Sequence, residues 1–162
     1  MNDVISWGAT TLYNVREVKM QISIREVRES DYLAIGNLVK NELGYNDIDF
    51  DTLFDRLKQM ELNDNHTTFV AVDNEQVLGF IGLLKYITYE IDGYVRILAM
   101  AVLQGQQNNG IGSELLLRAE QYASQNNITH ITLTSHLKRL EAHAFYEHNG
   151  YTKKSYGFFK NI

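Results

Sequence analysis

Apolar and polar residues alternate through Met20-Gln21-Ile22-Ser23-Ile24-Arg25-Glu26-Val27, the period of a strand with one buried face. The period then lengthens. Tyr32, Ile35, Leu38, Val39 and Leu43 recur at three- and four-residue steps, which predicts a helix capped by Ser30 and stopped at Gly44. Leu53, Leu57 and Met60 mark a second helix, with Asp49 or Asp51 as its cap. Two β-rich stretches, Thr67–Val72 and Gln76–Tyr86, flank Asp73-Asn74-Glu75 and predict a hairpin. A third strand covers Tyr94–Val102. Ile111, Leu115, Ala119 and Tyr122/Ala123 return to a helical period, with the helix read over Ser113–Asn126. Ile128–Thr134 predicts a short strand, and Arg139–Asn149 a helix ending at Gly150. The tail, Tyr151–Lys160, alternates enough for one or two strands more.

The order β-α-α-β-β-β-α-β-α-β(-β) implies an α/β chain with a mixed sheet and helices on both faces. Three adjacent strands form a meander, and the β-α-β unit around 94–134 reads as a right-handed parallel crossover. Residues 20–162 make one domain. Residues 1–19 lack clean periodicity and read as an extension, packed on the surface or partly loose. Trp7, Leu12 and Tyr13 would dock it on the domain or on a second subunit of a homodimer.

Composition narrows the classes. A chain of 162 residues with 44% apolar and 22% charged residues is ordinary for a soluble globular protein with a real core. No Cys is present, which excludes disulfides, thiolate metal sites and a Cys nucleophile. Pro is absent too, so Gly, Asn and Asp must supply every break. A formal net charge of −5 argues against nucleic acid as partner. No apolar run approaches the roughly 20 residues of a spanning helix. The start of the chain has neither the basic region nor the apolar core of a secretory signal. No membrane contact and a cytoplasmic location are therefore the expectations. His136, His143 and His148 cluster in sequence, but their spacing fits no metal motif, and no metal site is read.

The chemistry concentrates in Gln107-Asn108-Asn109-Gly110-Ile111-Gly112-Ser113, between a predicted strand and a predicted helix. Backbone N–H groups of a first helical turn lack intrahelical partners and align with the positive end of the helix dipole. A pyrophosphate can fill them, and Gly110 and Gly112 would remove Cβ atoms from its approach. Taken alone, the same pattern serves as a tight turn. A P-loop is excluded because no Lys follows the glycines. A dinucleotide loop is excluded because Leu115 stands where its third glycine belongs.

A second motif lies in the last helix: Ala142-His143-Ala144-Phe145-Tyr146-Glu147-His148-Asn149-Gly150-Tyr151. With Gln107, Gly110 and Gly112 matching Q/R-x-x-G-x-G/A, and this stretch matching A-x-x-[FL]-Y-x-x-x-G-[FY], the chain resembles the GNAT superfamily of N-acetyltransferases. The resemblance spans 20–162. It implies transfer of an acetyl group from acetyl-CoA to an amine. Met100, Ala101 and Val102 would pair with the pantetheine arm through backbone groups. Amides from Gln107 through Asn108, Asn109, Gly110, Ile111 and Gly112 to Ser113 would hold the pyrophosphate, with the Ser113 hydroxyl adding a bond. Tyr146 would protonate the departing thiolate. The resemblance departs at Arg139, where many members carry Asn. A subgroup resembles Ser135-x-x-x-Arg139-x-x-Ala142-His143-x-Phe145-Tyr146 more closely, and there Arg139 would contact the cofactor.

The general base is not readable. The third strand holds no carboxylate, which leaves Glu42, Glu90, Asp92 or water. Tyrosines between 86 and 94 either line an acceptor pocket by cation–π contact or simply pack. The acceptor is a small-molecule or peptide amine. The rival expectation is a non-catalytic acyl-CoA-binding sensor or regulatory module.

Overall fold

The computed structural model describes residues 21–91 and 93–162. The extension read over 1–19, and Asp92, lie outside the described residues. Five strands line up in the order β1-β2-β3-β4-β5: β1 Ser23–Glu26, β2 His66–Asp73, β3 Gln76–Tyr86, β4 Tyr94–Val102 and β5 Ile131–Leu133. The first four are antiparallel neighbours, and β5 runs parallel to β4. Asn74 and Glu75 carry positive φ and make the tight β2–β3 turn that the hairpin pattern anticipates.

The helices divide between the two faces. α3 (Ile111–Gln125) lays Ile111, Leu115, Leu116, Ala119 and Ala123 on Phe69, Ile81, Leu83, Val95 and Ile97. α1 (Tyr32–Asn41) and α2 (Phe50–Glu61) cover the opposite face, with Tyr32, Ile35, Leu38, Leu53 and Leu57 on Val70, Val72, Phe80 and Ala101. Each fully buried aliphatic side chain contributes roughly 1.5–3 kcal/mol, so these two layers dominate stability. Asp49 caps α2 by accepting the Thr52 N–H at 2.8 Å. α4 (Leu140–His148) follows β5 and has no fully buried residue.

Three sequence readings change. Ser30 is not the cap of α1; it lies inside a short 3-10 turn, Glu29–Asp31. Asp31 anchors that turn, accepting the Arg28 N–H at 2.8 Å and both Arg25 guanidinium donors at 2.6 and 3.0 Å. β5 is shorter than Ile128–Thr134, because Asn127 turns left-handed and the Ile128 N–H closes the end of α3 on Ala123 O. The tail forms no strand. Tyr156, Phe158, Phe159 and Ile162 stand exposed, so its alternation has no face to bury. A three-residue β5 is a short template, and Lys153 is drawn to Glu147 at 2.9 Å.

Asp31 carries a stability prediction. It is 4% exposed. Burial pushes its carboxyl up, but the bonds from Arg25 and the Arg28 N–H outweigh burial and hold it below the usual carboxylate range. Asp31→Ala leaves Arg25 only the exposed Glu75 carboxylate at 3.7 Å and frees the Arg28 N–H, and should cost about 1–3 kcal/mol in urea unfolding. The stabilisation exists only while Asp31 is ionised. It should fade as pH falls below about 4, where the unfolded carboxylate protonates. Parent and variant stabilities should therefore converge in acid, and a constant gap down to pH 2 would refute the ion pair's role.

Candidate functional site

The sheet opens beside β4. β5 pairs with β4 only at Val95↔Ile131, Arg96↔Thr132 and Ile97↔Leu133. Beyond Ile97 the β5-side edge of β4 is unpaired among the described residues, through Leu98, Ala99, Met100, Ala101 and Val102. A bulge sits where the strands part: Leu83 faces Ile97 and Gly82 faces Ala99, which leaves Leu98 as the extra residue. The predicted pantetheine contacts, Met100, Ala101 and Val102, thus lie on a free strand edge, the geometry that accepts an extended ligand by backbone pairing.

That edge leads into the glycine loop. None of the backbone N–H groups from Gln107 to Ser113 has a protein acceptor among the described residues. Gly110 occupies the N-cap of α3 at φ 81°, with no side-chain cap. A Cβ on Gly110 would meet nothing within 4 Å, so the space beside this N-cap is open. The residues present therefore fit a pyrophosphate. Gln107 reaches back to Val102 O at 3.5 Å, and Asn109 Nδ2 donates to Gln106 Oε1 at 3.3 Å, closing the loop on itself. Ser113 stands in the first turn of α3, half-buried.

Gly112 has a different reason from the one its motif suggests. A Cβ there would lie 2.9 Å from Phe145 Cζ and 3.2 Å from Cε2. Its bare Cα lets α3 pack against α4, which brings the second motif to the first.

Tyr146 is half-buried, edge-on to Phe145 and Tyr151 with ring centroids 5.4 and 5.8 Å away. Burial pushes its hydroxyl above the ordinary tyrosine value, partly offset by the Arg139 charge. Its hydroxyl bonds no protein group among the described residues, so it is a protonated donor without a fixed partner. Tyr151 beside it has a buried hydroxyl with no partner, pushed up by burial and by Glu120. The Ser135 hydroxyl, two residues past β5, is also buried without a partner. An unpaired buried hydroxyl costs about 1–3 kcal/mol. Arg139 begins α4 and lines a hollow of about 360 Å³ with Lys138, Leu140, Glu141 and Ala142.

The candidate bases fare differently. Glu42 follows α1 and accepts the Gln104 N–H at 3.1 Å, so it ties α1 to the segment before the glycine loop. Glu90 is exposed in the β3–β4 connection, at the end of β4 away from that loop. Two features escaped the sequence reading. The Leu98 bulge leaves no signature in residue types, and the Glu42–Gln104 bond spans 62 positions.

A mixed sheet that parts beside its fourth strand, with free amides at the next helix start, defines an acyl-CoA-type acyltransferase fold. Comparison with known proteins agrees. The model of the acetyltransferase (GNAT) family matches residues 25–151, and the chain belongs to that family. It is 31% identical over 138 residues to the aminoalkylphosphonate N-acetyltransferase of Salmonella typhimurium, covering 85% of this chain and 86% of the relative. A GNAT family acetyltransferase of Staphylococcus aureus superposes with TM-score 0.73 at 28% identity, over 88% of this chain and all of that one. AAC(6')-Iy, bound to the bisubstrate analogue CoA-S-monomethyl-acetylneamine, shares the fold with TM-score 0.78 at 14% identity, over 88% and 98% of the two chains. The protein is an acyltransferase, and acetyl-CoA is its family's co-substrate.

Proposed function

We propose that this chain acetylates the primary amine of a small molecule, by direct attack within a ternary complex. The observation that carries the reading is the continuity of the free β4 edge, Leu98–Val102, with the row of unpartnered amides from Gln107 to Ser113. The edge suits the pantetheine amides and the row suits the pyrophosphate, so an acetyl thioester would end beside the bulge at Leu98. Arg139, with its side chain near Tyr146, adds positive charge at the start of α4. The similarity to an aminoalkylphosphonate N-acetyltransferase supports a small amine over a peptide.

The amine must arrive neutral, its surplus proton passing to water or to a nearby carboxylate. Its lone pair attacks the thioester carbonyl, a C–N bond forms, and the C–S bond breaks. A free thiol has a pKa near 8.5, so the departing sulfur gains from a proton, which Tyr146 holds. The chain has no Cys to carry an acetyl group between two half-reactions, which supports direct transfer.

Acetyl-CoA should raise the melting temperature, and CoA thiol should appear only when a suitable amine is added. A rise in melting temperature without thiol release across a broad amine panel would favour the non-catalytic binding module instead.

A further inference from the structure

Among the described residues, α1 and α2 cover only part of their sheet face. Their core contacts reach Val70, Val72, Phe80, Ala99 and Ala101. Past the bulge, the same face continues through half-buried Leu84, Tyr86, Tyr94 and Arg96. Val95 and Ile97 are buried under α3, so Arg96 between them points to the opposite face. It stands two residues before Leu98, at the closed end of the cleft.

Arg96 is short of partners. Its Nη2 meets Thr134 Oγ1 at 3.4 Å, across the point where β4 and β5 part. No carboxylate lies within 4 Å among the described residues. Among the described residues, half-buried Arg96 thus carries its charge without a counter-ion, its guanidinium reaching the exposed Thr134 hydroxyl. Tyr86 and Tyr94 stack beside it with centroids 5.6 Å apart, and Tyr94 meets His130 at 5.3 Å, forming an aromatic floor.

We propose that Arg96, helped by Thr134, is the acceptor subsite for an anionic group, so that the preferred substrate is an amine bearing a phosphonate, phosphate or carboxylate a few bonds from its nitrogen. This rests on the N-acetyltransferase reading above. A guanidinium presents paired donors that match such oxyanions, and the missing counter-ion is then supplied by the substrate. With the anion held at Arg96, a short chain places the amine toward Leu98, where the free edge of β4 begins.

The test compares 2-aminoethylphosphonate, β-alanine and n-propylamine as acceptors, at saturating acetyl-CoA. The parent should favour an anion-bearing amine over n-propylamine in kcat/KM, and the better of the two anions identifies the group. Arg96→Met keeps the apolar stem over the sheet and deletes the charge. It should cut that preference roughly 10- to 100-fold, through KM for the amine, with KM for acetyl-CoA little changed. Arg96→Lys should recover part of the preference. Equal use of all three amines by the parent, or a proportional loss on all three in Arg96→Met, overturns the subsite while leaving the transferase reading intact. Absence of thiol release by the parent with these three amines and across the broad amine panel overturns both.

Discussion

Gly112→Val should unseat α4 and abolish acetyl-CoA binding and transfer together. An ideal Cβ at Gly112 already falls 2.9 Å from the Phe145 ring, closer than real Cβ contacts come, and Val adds two methyl groups to that overlap. Phe145 packs on the main core and lies edge-on to Tyr146, so turning its ring away disturbs both contacts. Overpacking of this kind costs about 1–3 kcal/mol, or roughly 3–10 °C in melting temperature for a chain this size. The milder Gly112→Ala should show a smaller drop, and adding Phe145→Leu should restore most of it. Gly110→Ala separates the two glycines. Its Cβ enters open space, while the left-handed φ of 81° costs on the order of 1 kcal/mol. The fold should survive with acetyl-CoA affinity reduced, because the new methyl stands where the loop must receive phosphate. A Gly112→Val protein that melts like the parent and keeps its acetyl-CoA-induced shift would refute the α3–α4 contact.

Much of the architecture is legible because local patterns and tertiary needs coincide. Gln76–Tyr86 and Tyr94–Val102 appear with the bounds read from their β-rich composition, since both strands are interior to the sheet. The failures share one cause: alternation and capping residues describe a segment's capacity, while neighbours decide its use. Ser30 has the chemistry of a cap, yet the Arg25–Asp31 pair fixes the chain first. Tyr151–Lys160 has strand periodicity, yet nothing apolar awaits its Tyr156 and Phe158. In the site, the free amides of the glycine loop follow from strand–glycine–helix order alone. Gly112 illustrates the limit, because its motif position reads as phosphate clearance while its Cβ direction points at Phe145, 33 positions away in sequence. Arg96 was invisible for a related reason. A lone Arg in a strand looks like surface, and only the sheet register sets it against Thr134 at the closed end of the cleft.

Tyr146→Phe should lower turnover by roughly a hundred- to ten-thousandfold while leaving acetyl-CoA affinity nearly unchanged, the usual worth of a positioned acid. The substitution keeps the edge-on contacts with Phe145 and Tyr151 and removes only the hydroxyl. That hydroxyl holds up no protein partner among the described residues, so the melting temperature should stay within a few degrees of the parent. The loss should fall on kcat and kcat/KM alike, the sign of an interaction made mainly in the transition state. The pH profile gives a second, independent readout. Burial raises the Tyr146 hydroxyl above its ordinary value, with Arg139 offsetting only part of the effect. The donor is therefore protonated through neutral pH and is lost only as pH climbs past about 10, the ordinary tyrosine range. Parent turnover should decline on that alkaline limb, and Tyr146→Phe should lack the decline. Water can protonate part of the leaving thiolate, so residual activity is expected. A variant that turns over a confirmed acceptor at the parent rate, with the alkaline limb intact and chemistry rate-limiting, would make Tyr146 a packing residue and move the proton donor elsewhere in the cleft.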